Sequence, residues 1–291
     1  MNVGVVDIGT NSMRLLIKNH VGEVGRWVEV TGLGRGVDQT GALSPDAIQD
    51  SLVALARFGS RMDAEGVESR IAIATSASRD ASNRETFFDL AESALGVRPI
   101  LITGEREARL AYAGAALNTG LEPPLVVSDI GGGSTEFVTE EVALSIDVGS
   151  VRLTEKAIPS RPPLGSELAA ARAMVAGLFG EIDLVVGTLI GVAGTWTSLA
   201  AIAQELPRYS RDLVEGYRLS KVGLEGVIEM LVGKTLEETA AIPSLDPKRA
   251  PVILAGSLVA LGVLDALGVD EVLVSEHDTL DGAAMELLAL P

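Results

Sequence analysis

Residues 5–12 read VVDIGTNS, and residues 127–134 read VSDIGGGS. Each stretch is an apolar strand that ends in Asp-Ile-Gly, followed by a turn of small residues and then a second apolar run. A buried strand delivers a carboxylate to a fixed place, and a turn of small residues presents backbone N–H groups to an anion. Because the two copies share one register, they predict two phosphate-binding hairpins in a duplicated chain.

The composition is that of a globular protein with room for roughly two domains. Of 291 residues, 47% are hydrophobic and 22% are charged, which excludes a disordered chain. The formal net charge of −17 argues against a broad nucleic-acid surface, because such a surface is basic. A phosphate chain would therefore have to be held by a concentrated site of arginines, backbone N–H groups and a divalent cation.

Two classes of site chemistry are excluded by residue counts. The chain has no cysteine, so disulfides, thiol catalysis and cysteine-ligated metals are ruled out. His20 and His277 are the only histidines, and this count argues against a zinc site built from several histidines.

The sequence shows no targeting signal, which predicts a cytoplasmic protein with no membrane association. The N-terminus reaches Asp7 without a basic start or an apolar core, so it does not read as a signal peptide. Residues 250–268 are long and apolar enough to suggest a membrane span. We interpret them as a buried core helix, because Pro251 and several glycines interrupt a stretch that lacks an aromatic belt.

Strands and helices alternate twice along the chain, which predicts a mixed α/β fold built from two similar units. The first pass ends in a helix from Glu105 to Leu117. The pattern restarts at Leu125, directly after two prolines that punctuate the passage from helix to strand. We therefore expect a duplicated α/β unit with a cleft between its copies.

Four motifs identify a family. They are DIGTNS at 7–12, ATSASRDASN at 74–83, TGEREARL at 103–110 and DIGGGSTE at 129–136. In this order they closely resemble the exopolyphosphatase and guanosine pentaphosphate phosphohydrolase family of the actin-like superfamily, over essentially the whole chain. The resemblance implies two duplicated ribonuclease H-like (actin-like) α/β domains with an interdomain cleft. They would span residues 1–122 and 123–277, with a C-terminal helix at about 278–291 able to pack back on the first.

Three carboxylates are predicted to serve a Mg²⁺ site. Asp7 and Asp129 end matching strands, and two carboxylates facing one cleft repel unless a proton or a cation lies between them. The alternative is that each aspartate only caps its own turn. Glu136 stands in an otherwise apolar strand, where an outward-facing side chain is an equally good interpretation. The resemblance assigns Glu136 to the metal site.

Glu107 and Arg79 are the predicted catalytic residues. Glu105 and Glu107 both lie in the first turn of a helix, where acidic residues are favoured whatever their function. The resemblance selects Glu107 as the residue that positions the attacking water. Arg79 follows a strand and a small-residue turn, and it could stabilise the charge on the transferring group. A surface salt bridge to Asp80 or Glu85 is the competing account.

The turns supply the expected phosphate contacts through backbone and hydroxyl donors. These are Thr10, Asn11, Ser12, Gly131, Gly132, Gly133 and Ser134. A third turn, residues 191–196, is where the superfamily places nucleoside or distal-phosphate contacts, although Trp196 fits a core residue better. Leu280 replaces an arginine of the family pattern, and Pro251 stands where an aspartate is common.

The resemblance implies a Mg²⁺-dependent hydrolase that removes the terminal phosphate of inorganic polyphosphate. The alternative substrate within the family is guanosine pentaphosphate, which would lose its 5′ phosphate. An ATP-dependent sugar or acid kinase and a non-catalytic phosphate sensor stay open as other classes. The resemblance also suggests a homodimer, and we expect neither nucleic acid nor a membrane as a partner.

Overall fold

In the computed structural model, which describes residues 1–116 and 120–290, the chain forms two β-sheets with helices packed on them. The strands are β1 (Asn2–Ile8), β2 (Ser12–Lys18), β3 (Glu23–Val30), β4 (Val67–Ala74), β5 (Ile100–Leu101), β6 (Leu125–Ile130), β7 (Thr135–Val138), β8 (Ala143–Ile146), β9 (Thr188–Val192), β10 (Arg218–Ser220) and β11 (Glu271–Val274). The α-helices are α1 (Val37–Thr40), α2 (Pro45–Ala64), α3 (Ser76–Asp80), α4 (Arg84–Leu95), α5 (Gly104–Ala115), α6 (Ser150–Ala157), α7 (Gly165–Phe179), α8 (Ala193–Ala203), α9 (Arg211–Val214), α10 (Lys221–Val232), α11 (Leu236–Ala240), α12 (Ile253–Leu267) and α13 (Thr279–Ala289).

The first sheet has the strand order β3-β2-β1-β4-β5. Its central strand β1 pairs antiparallel with β2 and parallel with β4. The strand VGVVDI is apolar at successive positions because both of its faces are buried, which is typical of a central strand. The hairpin β1–β2 therefore lies in the middle of the sheet, and Asp7 lies near the carboxyl end of its first strand.

The second sheet repeats this layout in the order β10-β11-β9-β6-β7-β8. Strand β6 pairs antiparallel with β7 and parallel with β9, as β1 does with β2 and β4. Strand β11 lies parallel beside β9, as β5 lies beside β4, and β10 is an added antiparallel edge strand. The repeated topology confirms the duplicated α/β fold predicted from the two hairpin motifs.

The chain forms two compact units, Met1–Gly114 with Thr279–Pro291, and Ala115–Asp278. Helix α13 belongs to the first unit and packs on β1 and β2. The residues 117–119, which include the predicted helix end at Leu117, lie outside the described part of the chain. The predicted domains, residues 1–122 and 123–277, therefore stay a proposal.

Helix boundaries follow local capping chemistry. Helix α2 begins at Pro45, and the hydroxyl of the N-cap residue Ser44 accepts a hydrogen bond from the backbone N–H of Ala47 at 3.3 Å. Helix α4 ends at Gly96, whose φ of 74° is the left-handed conformation that favours glycine.

The long apolar segment at residues 250–268 forms the core helix α12. Its residues from Ile253 to Leu261 are all buried against the other helices of the second unit. The helix begins three residues later than the apolar run, because a 3-10 helix, Pro247–Arg249, precedes it. Among the described residues, no helix combines the length and the hydropathy needed to cross a membrane.

Candidate active site

The first hairpin is a tight turn held by backbone hydrogen bonds. The N–H of Gly9 donates to the carbonyl oxygen of Ser12 at 3.1 Å, which closes the turn. The hydroxyl oxygen of Thr10 accepts from the backbone N–H of Ala77 at 3.1 Å and so ties the turn to the start of α3. Asn11 and Ser12 are only partly buried. Thr10 therefore supports the fold of the turn, whereas Asn11 and Ser12 are the more accessible of the predicted donors.

Asp7 is paired with an arginine that the sequence analysis overlooked. Arg14 is the cross-strand partner of Asp7 in the β1–β2 hairpin. Its Nε and Nη2 atoms donate to Asp7 Oδ2 at 2.8 and 2.5 Å, and Asp7 is only 3% exposed. A buried carboxylate needs such a partner, because an uncompensated charge is costly to bury. The charge of Asp7 is thus already balanced in part by the protein.

Glu107 is paired with Arg79, which brings the two predicted catalytic residues together. Arg79 Nη1 donates to Glu107 Oε2 at 2.9 Å and to the carbonyl oxygen of Ile102 at 3.1 Å. Arg79 comes from α3, directly after β4, and Glu107 comes from the first turn of α5, after β5. The carboxyl ends of parallel strands meet at one edge of a sheet, which is why these two short connections converge.

Glu107 and Glu105 differ in their burial and in their contacts. Residues two positions apart on a helix point in different directions. Glu105 is exposed, whereas the Glu107 side chain is largely buried beside Arg79. The helix start is fixed by Thr103, whose hydroxyl accepts from the backbone N–H of Arg106 at 3.2 Å. Of these two glutamates, Glu107 is therefore the one whose carboxylate pairs with Arg79.

The environment of Glu107 raises the pKa of its carboxyl above the usual range. Burial is the main cause, because it penalises the charged form, and the negative charge of Asp7 acts in the same direction. Arg79 and Arg14 lower the pKa of Glu107 without cancelling the effect of burial. A carboxylate with a raised pKa is a stronger base, which suits a group that takes or orients a proton of water.

The second hairpin closes in the same way as the first. The N–H of Gly131 donates to the carbonyl oxygen of Ser134 at 3.0 Å, which matches the Gly9 to Ser12 hydrogen bond. The carbonyl oxygen of Gly132 accepts from the N–H groups of Val151 and Arg152 in the first turn of α6. The glycine turn is thus supported from its carbonyl side by a helix that the sequence analysis did not predict.

Gly149 is a second residue that the sequence analysis missed. A Cβ atom at this position would lie 2.6 Å from the carbonyl carbon and oxygen of Gly132. Only glycine allows the start of α6 to approach the turn so closely. The signal in the sequence is a glycine directly before a helix, which is too common to assign without the contact.

Asp129 and Glu136 lie directly opposite each other on the paired strands β6 and β7. They are 4% and 1% exposed, and Glu136 Oε1 accepts a hydrogen bond from the hydroxyl of Ser145 at 2.7 Å. Two carboxylates in this position destabilise a strand pair unless a proton or a cation compensates them. The donor set fits Mg²⁺, which binds one or two carboxylates together with waters and substrate phosphates.

No cluster of three or more acidic or histidine side chains that could hold a metal ion is found among the described residues. The described residues therefore contain no metal site whose ligands are three or more acidic or histidine side chains. Within the second unit, the opposed carboxylates of Asp129 and Glu136 could share a cation with phosphate and water.

Three further residues that the sequence analysis discussed are Trp196 and Leu280, which lie in the core, and Pro251, which lies on the surface. Trp196 is fully buried, as expected of a core residue, and at the start of α8 a Cβ atom on Gly194 would lie 2.2 Å from the guanidinium of Arg249. Leu280 is also fully buried and packs in the core of the first unit. Pro251 is exposed, and its carbonyl oxygen accepts a hydrogen bond from Arg161 Nη2 at 2.8 Å.

Comparisons by sequence and by structure both find exopolyphosphatases or members of the Ppx/GppA family. The model of the Ppx/GppA phosphatase family matches residues 18–289. Exopolyphosphatase 2 of Mycobacterium tuberculosis is 36% identical, and the match covers 98% of each chain. The crystal structure of an exopolyphosphatase-like protein is similar with a TM-score of 0.94 at 34% identity, over 99% of each chain. The Aquifex aeolicus Ppx/GppA family member has a TM-score of 0.83 at 30% identity, covering 99% of this chain and 98% of that chain.

These findings define a phosphatase, a hydrolase with an actin-like fold. The chain belongs to the Ppx/GppA phosphatase family. The family predicted from the four sequence motifs is thereby confirmed.

Proposed function

We propose that the protein is an exopolyphosphatase that hydrolyses the terminal phosphate of inorganic polyphosphate with Mg²⁺. The observation that carries the proposal is the pair of Glu107 and Arg79, in which a partly buried carboxylate with a raised pKa touches a guanidinium. The similarity to an exopolyphosphatase over nearly the whole chain supports polyphosphate as the substrate. A homodimer and a cytoplasmic location stay predictions of the sequence.

In this proposal Glu107 accepts a hydrogen bond from the attacking water and holds it for in-line attack on the terminal phosphorus. The oxygen of water bonds to phosphorus while Glu107 takes the proton that the water loses. The terminal P–O–P bond breaks at the same time, and the shortened chain leaves with the bridging oxygen. Arg79 orients the Glu107 carboxylate and adds positive charge where the transferring phosphoryl group carries negative charge.

The two hairpins supply the proposed binding groups. In the first hairpin, Asn11, Ser12 and the backbone of Thr10 donate hydrogen bonds to phosphate oxygens. In the second, the donors are Gly132, Gly133 and Ser134, because the N–H of the predicted donor Gly131 already closes the turn onto Ser134. Asp129 and Glu136 would hold Mg²⁺, with Asp7 as the third predicted ligand. When bound, the ion neutralises negative charge on the phosphate oxygens.

Guanosine pentaphosphate is the second candidate substrate. The family that matches this chain is described by both activities in its name, Ppx/GppA. The same water-activating group serves either substrate, because each loses a terminal phosphate from a phosphoanhydride.

The decisive experiment measures inorganic phosphate released from polyphosphate in the presence of Mg²⁺. We expect steady release of phosphate as the chain shortens from its end, and slower release from guanosine pentaphosphate at equal concentration. Phosphate transfer from ATP to a sugar, without release from polyphosphate, would instead establish a kinase. Binding of polyphosphate without release by the native chain would establish a sensor.

Substitution of Arg79 should change both the rate and its dependence on pH. We expect Arg79→Gln to lower kcat by about 10²-fold, the cost typical of losing one charge-stabilising donor. Because Arg79 lowers the pKa of Glu107, its removal raises that pKa further. The reaction needs the charged form, so activity is present above the pKa and lost as the pH falls through it. The acidic limb of the pH–rate profile should therefore move to higher pH.

Arg79→Lys is the matched control for this prediction. Lysine keeps the positive charge but not the planar fork of donors. We expect its acidic limb to stay closer to that of the native protein than the limb of Arg79→Gln. An acidic limb that does not move in Arg79→Gln would show that Glu107 is not the group that titrates.

A further inference from the structure

The backbone of α13 lies directly against the helix that carries Glu107. A Cβ atom at Gly282 would lie 2.1 Å from the carbonyl oxygen of Leu110 and 3.1 Å from its Cα atom. Only glycine permits two helices to approach this closely at this point. Leu110 lies three residues after Glu107 in α5, so the contact is within one helical turn of the proposed base.

Apolar packing continues the contact on both sides of Gly282. Leu280, Ala283 and Ala284 share one core cluster with Leu110 of α5 and with residues of β1. Leu280 and Ala284 are fully buried. A displacement of α13 would therefore be transmitted to α5, because packed interiors resist compression.

A buried ion network fixes α13 on the sheet. Asp281 is 1% exposed, and its Oδ2 atom accepts a hydrogen bond from Arg26 Nη2 at 2.6 Å. Lys18 Nζ lies 3.5 Å from Asp281 Oδ1. Arg26 belongs to β3 and Lys18 to β2, so two strands hold the first turn of the helix. Breaking one partner of a buried ion pair is costly, which makes this anchor rigid.

From this arrangement we propose that α13 is a positioning element for the reaction: Asp281 anchors it to the sheet, and Gly282 seats α5 so that Glu107 meets Arg79. The inference rests on the proposed role of Glu107 as the group that holds the water. Asp281 and Gly282 are positioning residues, since they act through α5 and not on the substrate.

The expected effect of Gly282→Ala follows from the geometry. Ordinary contacts of a Cβ atom begin at 3.4 Å, whereas the new methyl group would stand 2.1 Å from the Leu110 oxygen. The two helices must therefore separate by about 1 Å, and a misplacement of this size costs about 10²-fold in rate. We expect kcat to fall by about 10- to 100-fold, while KM for polyphosphate changes by less than about threefold, because no binding group is altered.

A double-mutant cycle with Glu107→Gln tests whether Gly282 acts through Glu107. In the Glu107→Gln background, where the base is already lost, Gly282→Ala should lower the residual kcat by less than about twofold. An equal loss in both backgrounds overturns the positioning role. A native rate in Glu107→Gln alone is a different result, which overturns the proposed function of Glu107.

Gly226→Ala is the matched control, because it makes the same change at an exposed position of helix α10. Apart from its chain neighbours and the nearby backbone of its own helix, no described atom lies within 4 Å of a Cβ atom at Gly226. Both substitutions therefore improve helix propensity, but only Gly282→Ala meets a neighbour. We expect Gly226→Ala to keep the native kcat and KM. A loss of kcat in Gly226→Ala equal to that in Gly282→Ala would contradict the specific contact.

Asp281→Asn supplies the second variant if Gly282→Ala does not fold. It removes the anchor charge and leaves the shape of the side chain unchanged. We expect faster amide hydrogen exchange in α5 around Leu110, together with a lower kcat and a retained KM. Exchange in α5 and a kcat that both match the native protein would overturn the proposal.

Discussion

Glu107→Gln should lower kcat for phosphate release from polyphosphate by about 10²- to 10⁴-fold, the range for loss of a positioned acid or base. Glutamine keeps the shape of the side chain and an oxygen that can accept from Arg79, so the pairing of the two residues is retained. It cannot become a carboxylate, and it is a poor acceptor for a proton from water. Steady-state phosphate release at saturating Mg²⁺ measures this effect.

The same substitution should leave the melting temperature unchanged or raise it. The folded state raises the pKa of Glu107, so its charged form opposes folding at pH values above that raised pKa. A neutral glutamine removes this opposition. A loss of rate without a loss of stability indicates that the side chain serves the reaction and is not needed for folding.

Glu105→Gln is the matched control for Glu107→Gln. It makes the same change two residues earlier in the same helix turn, but its side chain is exposed. We expect near-native kcat for Glu105→Gln. Equal losses in the two variants would show that the charge of the helix start matters, and native activity in Glu107→Gln would remove Glu107 from the mechanism.

The duplicated sheets could be predicted because their signals are local. Each hairpin motif contains its own strand, turn and returning strand, and both hairpins close through the same glycine-to-serine hydrogen bond. The duplication also contained the signal for Arg14, which lies at the same seven-residue offset from Asp7 as Glu136 does from Asp129. Comparing the two copies position by position would have found it.

Other parts of the site could not be predicted because their partners are distant in the chain. The residue pattern alone did not separate Glu105 from Glu107: the family resemblance selected Glu107, and the physical reason, its contact with Arg79, lies 28 residues away in the chain. The contact of Gly282 with Leu110 depends on how the C-terminal segment returns to the first sheet. Neither hydrophobic periodicity nor capping signals contain this information, since both describe neighbours within one or two turns.

The two hairpins differ in the charge opposite their aspartates. Asp7 lies opposite Arg14, whereas Asp129 lies opposite Glu136. A carboxylate already bound by a guanidinium attracts a cation less than two opposed carboxylates do. Among the three predicted Mg²⁺ ligands, we therefore propose Asp129 and Glu136 as the stronger pair and Asp7 as the weaker contributor.

Glu136→Gln should accordingly raise the Mg²⁺ concentration that gives half-maximal activity by at least about 10- to 100-fold, the range reported even for outer-shell partners of a metal. Glutamine retains the oxygen that accepts from Ser145, so the strand pair keeps its hydrogen bond while the site loses one negative charge.

Mg²⁺ binding can also be measured without turnover, because a ligand that binds only the folded state raises the stability of the protein. Titration of the melting temperature with Mg²⁺ then gives a readout without turnover, and we expect the stabilisation of the native protein to disappear in the variant. Glu141→Gln, a change of equal charge at an exposed position in the turn between β7 and β8, should keep the native titration. A native titration in Glu136→Gln would place the metal elsewhere.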